Sequence, residues 1–283
     1  MSRELILIAH AQINNLNLYL YQGSSIELNA DCLVNAANEN MKHGGGIALE
    51  ISQRAGHSFD LECDEWIRKK GTIKPGQVAV TGSHGLNKFK KIIHAVGPSN
   101  EDSREKSNML ISTLVNSFKE AAQLGFTSIS VPALSVGIFG YPMNISAERH
   151  FQAVYIFAQQ AQKFPSLKEI GICLFKDEEA KVFSEKFIEL SDYFPIFRYY
   201  GTSKEKGIVI GMGHCKLCQT SIDASFFEFT SACGCREVCD FCICKNGSFV
   251  CFNCGLNISQ QYFGVSRCRK CFNKFQTGTQ HLC

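Results

Sequence analysis

Two glycine-bearing stretches have the residue types that hold an anion without side-chain charge. The first, KHGGGIA (residues 42–48), follows the apolar run VNAAN (34–38) and leads into a segment with helical spacing. The second, LSVGIFGYP (134–142), follows the apolar run SISVP (128–132). Three bare glycines in a row, Gly44, Gly45 and Gly46, cost conformational entropy and pack nothing, so something is expected to approach the main chain there. Amide groups at a helix start are unpaired, point outward and lie at the positive end of the helix dipole, which suits phosphate. Ser135, Gly137 and Gly140 give the second loop the same character. Either loop alone is most simply a turn. Two of them at corresponding ends of a sheet would clamp a diphosphate.

A second chemistry sits at the other end of the chain. Twelve of the fifteen cysteines lie between Cys215 and Cys283. The pairs Cys215/Cys218, Cys239/Cys242, Cys251/Cys254 and Cys268/Cys271 each have two residues between them, with Cys233, Cys235, His281 and Cys283 among and after them. In an intracellular chain that spacing indicates zinc knuckles rather than disulfides. Two or three structural zinc ions are expected, each closed by four ligands, with the metal supplying folding energy. His214 and Cys244 are left over as bystanders. Cys32, Cys63 and Cys173 are scattered in apolar or mixed surroundings and are expected to be thiols without a role.

The elements that must position the two loops are strands alternating with helices. Residues 16–21, 31–37, 77–82, 91–97, 128–134 and 169–175 read as strands, and 46–55, 58–70, 104–124, 144–163 and 177–190 as amphipathic helices. That alternation implies an α/β fold with helices on both faces of a sheet. Ligands in such folds sit at the C-terminal ends of the strands, against helix N-termini. Both glycine loops follow a strand and precede a helix.

The whole chain has 283 residues, 45% of them hydrophobic and 19% charged, with a formal net charge of +3. Residues 1–200 read as one ordinary domain, 201–213 as a linker containing a Lys/Glu cluster, and 214–283 as the cysteine module. The module holds seven Lys/Arg and four Asp/Glu, leaving 22 of each in the front part. Thiolate-bound zinc would remove even that small excess, so charge argues against nucleic acid as a partner. The apolar run Leu5 to Ala9 is too short for a signal peptide or a membrane span. The expectation is a cytoplasmic or nuclear protein, not secreted and with no membrane partner.

VNAAN (34–38), KHGGGIA (42–48), HAVGP (94–98) and VPALSVGIFGYP (131–142) together resemble the macrodomain, an ADP-ribose-binding module, over roughly residues 13–190. The resemblance implies a three-layer α/β/α fold with a central mixed sheet, ADP-ribose as ligand and ADP-ribosylated proteins as partners. It implies that Asn38 bonds the distal ribose and that Gly44, Gly45, Gly46 and Ile47 pass beside that ribose and the phosphates. Ser135, Val136, Gly137, Ile138, Phe139 and Gly140 would cradle the diphosphate, with Phe139 also packing on the ribose. Phe175 would stack on adenine, and Asn35 would brace the loop more than touch ligand. Ser24 stands where the family usually has an Asp that accepts from the adenine amino group, and an uncharged hydroxyl should accept that bond more weakly.

Some members only read ADP-ribose and others remove it from proteins. The Asp that one hydrolase subgroup has just after the glycines is absent here, its place taken by Ile47–Ala48. The KHGGG form resembles viral macrodomains and certain macrodomains of vertebrate ADP-ribosyltransferase proteins, several of which act without that Asp, and by that resemblance Asn38, His43 and Phe139 would carry the reaction with a phosphate-held water as nucleophile. The first eight cysteines of the module resemble a RING-type finger, with Cys215, Cys218, Cys239 and Cys242 on one zinc and Cys233, Cys235, Cys251 and Cys254 on the second. Cys268, Cys271, His281 and Cys283 would form a third site. A ubiquitin-conjugating enzyme is the partner a RING implies, although Phe252 and Gly255 depart from the pattern of active ones. The alternatives are a non-catalytic ADP-ribose reader coupled to such a ligase, or a zinc-finger adaptor built from consecutive zinc ribbons.

Overall fold

The computed structural model describes residues 5–190 and, beyond them, three strands at 196–199, 210–214 and 221–223. The residues up to Leu190, which apart from Ala9–Ala11 form the first unit, contain strands β1 (Ile6–Ile13), β2 (Leu16–Gln22), β3 (Cys32–Ala36), β4 (Val78–Gly82), β5 (Lys91–Ala95), β6 (Ser128–Pro132) and β7 (Glu169–Leu174). Their helices are α1 (Gly46–Ala55), α2 (His57–Lys70), α3 (Arg104–Gln123), α4 (Met143–Ala158) and α5 (Asp177–Glu189). The strands lie side by side in the order β1-β2-β7-β6-β3-β5-β4. The pairs β2–β7, β7–β6, β6–β3 and β3–β5 are parallel, whereas β4 runs antiparallel to β5. The sheet is therefore mixed, with a parallel centre.

Burial follows position in the sheet. β3 (CLVNA) is buried along nearly its whole length, as a strand covered on both faces must be. In β2 buried and half-buried residues alternate. Helices α1 and α2 close one face, where Ile51, Ala55, Phe59 and Cys63 pack with Leu33, Ala79 and Ile92. Helices α3, α4 and α5 pack successively on one another, so the unit has three layers. Local chemistry fixes several ends. The Ser103 hydroxyl caps α3 by accepting from the Lys106 amide, and α5 opens with Asp177, Glu178 and Glu179, favourable at the positive end of its dipole.

Two elements differ from the sequence expectation. The N-terminal run noted only as too short to be a signal is strand β1, whose alternate residues are buried. The helix expected over 144–163 ends at Ala158, where two glutamines interrupt the apolar pattern and a separate 3-10 turn takes over at Ala161–Lys163.

Beyond Leu190 three further strands form an antiparallel series. β8 (Ile196–Tyr199) pairs with β9 (Ile210–His214), and β9 with β10 (Ser221–Asp223). β9 falls largely within the stretch read as a linker, whose apolar residues are IVIGM. The expected zinc ligands Cys215, Cys218, Cys233, Cys235, Cys239, Cys242, Cys251, Cys254, Cys268, Cys271, His281 and Cys283 lie outside the described residues. Among the described residues no group of three or more His, Cys, Asp or Glu is arranged to hold a metal, and no helix is long and apolar enough to cross a membrane. Cys32, Cys63 and Cys173 are buried free thiols, and burial pushes the Cys63 and Cys173 thiols up to about 12.

Candidate functional site

A cleft of about 630 Å³ opens where the parallel strands end. β2 delivers Gly23, Ser24 and Ser25 to it, β3 delivers Ala36, β6 delivers Pro132 and Ala133, and β7 delivers Cys173 and Phe175. The start of α1 adds Gly45, Gly46, Ile47 and Glu50, and the loop after β6 adds Val136, Gly137, Ile138 and Phe139. This is the place a parallel sheet reserves for ligands, and both glycine loops reach it.

The two loops offer main-chain donors. α1 has Gly45 at its N-cap, so it has no side-chain cap, and it has no acidic residue in its first turn. Leu49 is the first residue of the helix to bond back, to the Gly45 carbonyl at 3.3 Å, so the amides of Gly46, Ile47 and Ala48 have no acceptor within the helix. Residues Gly137–Phe139 form a 3-10 turn whose bonded amide is that of Gly140, to the Gly137 carbonyl at 3.0 Å, so the amides of Val136, Gly137 and Ile138 have no acceptor within the turn. Ser135, Gly137 and Gly140 all have φ between 65° and 67°. Alternating left-handed residues curl successive N–H groups towards one side, a nest for an anion. The loops approach closely, since a Cβ on Gly45 would come within 2.7 Å of the Ile138 Cδ1. The side chain of Ile138 is 80% exposed, which suits a residue that folds over a ligand.

The loop between β6 and α4 is anchored from beneath. The Leu134 amide donates to His150 Nε2 at 3.1 Å, while His150 Nδ1 donates to the Ser146 carbonyl at 2.7 Å. Burial holds His150 neutral, with its pKa down at about 4. The Tyr141 amide donates to the Ser135 carbonyl, and the Tyr141 hydroxyl donates to Asp102, which also accepts from Ser107. That hydroxyl contact holds the Asp102 carboxyl below the usual range. Ser135 is buried, has no partner for its Oγ, and sits against Gly97, where any Cβ would collide with it.

The candidate side chains divide between the cleft and its support. Ser24, Gly45, Gly46, Ile47, Val136, Gly137, Ile138, Phe139 and Phe175 line the cleft. Asn35 does not. It is fully buried, and its Nδ2 lies 3.2 Å from His94 Nδ1. His94 in turn donates from Nε2 to Thr81 Oγ1 at 2.9 Å, and burial lowers its pKa to about 3. Asn38 is turned into its own loop. Its Nδ2 donates to the Lys42 carbonyl at 2.6 Å, and its Oδ1 accepts from the amides of Asn40 and Lys42. His43 stacks on Phe59 with ring centroids 5.1 Å apart, and its buried nitrogens have no hydrogen-bond partner. Burial lowers its pKa, opposed by Asp60. His43 and Asn38 thus shape the loop from behind, because an aromatic ring and three turn bonds hold them there. Gly44, Ser135 and Gly140 flank the lining residues.

Sequence reasoning missed Glu50, Lys176 and Glu179, which also line the cleft. Glu179 is engaged by the amides of Phe175 and Lys176 at 3.0 and 3.2 Å, so it fixes the backbone that presents Phe175. Glu50 is one helical turn after Gly46, and this spacing was the available signal: residues four apart share a helix face. Phe175 is 52% exposed despite its size, so its ring has an open side.

Comparison with known proteins agrees with this architecture. The Macro domain family profile matches residues 34–150. A protein of Saccharolobus solfataricus is 38% identical over 172 residues, which is 61% of this chain and 93% of the relative. A macro domain-containing protein of Listeria monocytogenes is 33% identical over 171 residues, 60% of this chain and 96% of the relative. The structure of the Oceanobacillus iheyensis macrodomain with ADP superposes with a TM-score of 0.62 at 24% identity, covering 67% of this chain and 99% of that one. The chain belongs to the macro domain family.

Proposed function

We propose that the cleft binds ADP-ribose, with the pyrophosphate on the bare amides of the two glycine loops, the adenine against Phe175 and the distal ribose between Gly45–Gly46 and Phe139. The observation that carries this reading is the convergence of two uncapped sets of amides, at 46–48 and 136–138, on one cleft at the strand ends. A diphosphate answers those donors, whereas a single anion would use one set. Exposed Phe175 supplies a stacking face of the kind a base uses. The Oceanobacillus protein of similar fold was solved with ADP, which supports a nucleotide diphosphate as the class of ligand. Isothermal calorimetry with ADP-ribose tests the reading, and binding that survives loss of the diphosphate would oppose it.

We further assign hydrolysis of ADP-ribosyl esters on proteins to the same cleft. The leaving group in such an ester is a carboxylate and needs little acid catalysis, so positioning can supply much of the rate. The bond from the distal ribose to the carboxylate oxygen breaks as water adds at the anomeric carbon, and the water proton passes to the substrate phosphate. Phe139 lines the cleft where that ribose would lie, and the loop built by Asn38 and backed by His43 holds Gly45 and Gly46 in place. Loss of ADP-ribose from an automodified acceptor, compared between the wild type and Asn38→Ala, is the test. Binding without turnover would identify a reader. The C-terminal cysteines are proposed to hold structural zinc and to contact a protein partner, with a ubiquitin-conjugating enzyme as the candidate that a RING-like arrangement implies.

A further inference from the structure

The adenine end of the cleft lacks a carboxylate on the strand that leads into it, because Ser24 and Ser25 follow β2 directly. The structure brings one from elsewhere. Glu50, on the second turn of α1, lines the cleft and accepts a hydrogen bond from the Ser24 hydroxyl at Oε2, 3.3 Å away. Its other oxygen is held by Arg54 at 2.8 Å, and Arg54 is itself fixed by Glu27 at 2.8 Å. Glu50 is therefore braced in one orientation by its own helix. The direction of the Ser24 bond matters. Ser24 is 6% exposed and gives its only proton to Glu50, so its remaining lone pairs can only accept. Next to it, Ser25 lines the same cleft, is 3% exposed, and has no partner for its Oγ within the protein. A buried hydroxyl left unpaired at a cleft wall is a group waiting for a ligand atom.

We propose that Glu50 and Ser24 form a composite acceptor that reads the amino group of a purine lying on Phe175, with Glu50 supplying the negative charge that the β2 loop does not. This rests on the nucleotide reading of the cleft and adds the specificity of its base end. Ser24 and Phe175 leave the adjacent parallel strands β2 and β7, and the Gly23 amide bonds the Leu174 carbonyl at 2.9 Å. The acceptor pair and the stacking ring are thus held side by side by the sheet. The Glu50–Ser24 pair, with the Ser24 proton already engaged, can only accept, so at that point it takes a 6-amino purine, which donates there, and disfavours a 6-oxo purine, which presents an oxygen to the same lone pairs. A site that leaves a polar group unpaired with the wrong partner discriminates strongly.

Calorimetric titration of the full chain with ADP and with inosine diphosphate tests this, since the two differ only at the base edge. Wild type is expected to bind ADP about tenfold or more tightly than inosine diphosphate, the size expected for a hydrogen bond to a charged acceptor. Glu50→Gln keeps the size and an acceptor for Arg54, but its amide can donate to Ser24 and release the Ser24 proton towards the ligand. The preference should then fall towards equality or reverse. Ser24→Ala should also narrow it, and thermal melts verify that each variant is folded. Equal affinity of the wild type for both nucleotides, or an unchanged preference in Glu50→Gln, overturns the assignment of Glu50 while leaving the cleft a nucleotide site. No heat with either nucleotide overturns the nucleotide reading, and this assignment with it.

Discussion

Replacing Gly137 by alanine isolates the contribution of loop conformation to binding. Gly137 has φ of 66°, and a Cβ there meets nothing within 4 Å. No clash is created, so the whole penalty is that of forcing an L-residue into the left-handed region, roughly 1–2 kcal/mol. The penalty has two places to appear. If the loop keeps its shape without ligand, the strain is present in the folded state, and the melting temperature drops by about 2–4 °C per kcal/mol for a domain of this size. If the loop relaxes when empty, the strain is restored on binding, and the ADP-ribose dissociation constant rises by roughly 5- to 30-fold. The two effects should therefore sum to about one penalty. Gly125→Ala is the control, because Gly125 also has a positive φ, of 76°, and open space around it but does not line the cleft, so it should lower the melting temperature and leave affinity unchanged. Calorimetry and thermal denaturation of both variants read the two terms. Gly137→Ala with wild-type melting and wild-type affinity would refute the claim that this curl of the backbone builds the anion nest.

Four further outcomes follow from the same geometry. Asn38→Ala removes three loop hydrogen bonds and should speed hydrogen exchange at the Asn40 and Lys42 amides and weaken ADP-ribose binding, with a stability loss of about 1 kcal/mol; unchanged exchange would deny Asn38 its organising role. Phe175→Ala should weaken nucleotide binding by about 1–3 kcal/mol through lost stacking, measured by calorimetry, and leave the melting temperature near wild type because the ring is half exposed. His150 and His94 have folded pKa values of about 4 and 3 against 6.5 when free. Below pH 6.5 the unfolded chain takes up protons that the folded chain refuses, so stability should fall as the pH drops from 6.5 towards 4, by up to about 1.4 kcal/mol per pH unit for each histidine; a flat melting profile would contradict this. The purified chain should contain two or three zinc ions by elemental analysis, and a strong chelator should remove them without abolishing ADP-ribose binding; a metal content of zero would remove the basis for the zinc module.

Much of the fold is legible in the sequence because the parallel centre of the sheet leaves a plain signature. CLVNA, SISVP and EIGICL are short, mostly apolar strands, and between them lie helices bounded in part by glycines. β1 is harder to see, since its first half is the continuous apolar run ILIA, the alternation with His10 and Gln12 covers only its second half, and it has no glycine or proline to bound it. The anion loops were visible because bare backbone requires glycine. The roles of polar side chains beside them were not visible, because orientation depends on tertiary partners. His43 turns inward because Phe59, sixteen residues later on α2, offers it a ring. Asn38 turns onto its own loop because the Lys42 carbonyl and two amides lie within reach. Glu50 reads in isolation as part of a solvated helix face, and only the pairing with Ser24 across the cleft gives it a function.

The most direct test compares calorimetric titrations of ADP-ribose and adenosine into the full chain. If backbone amides of two loops grip a pyrophosphate, ADP-ribose gives a saturable one-to-one heat and adenosine binds far more weakly or not at all. Comparable affinity for both ligands, or no heat with ADP-ribose, would contradict the account at its centre.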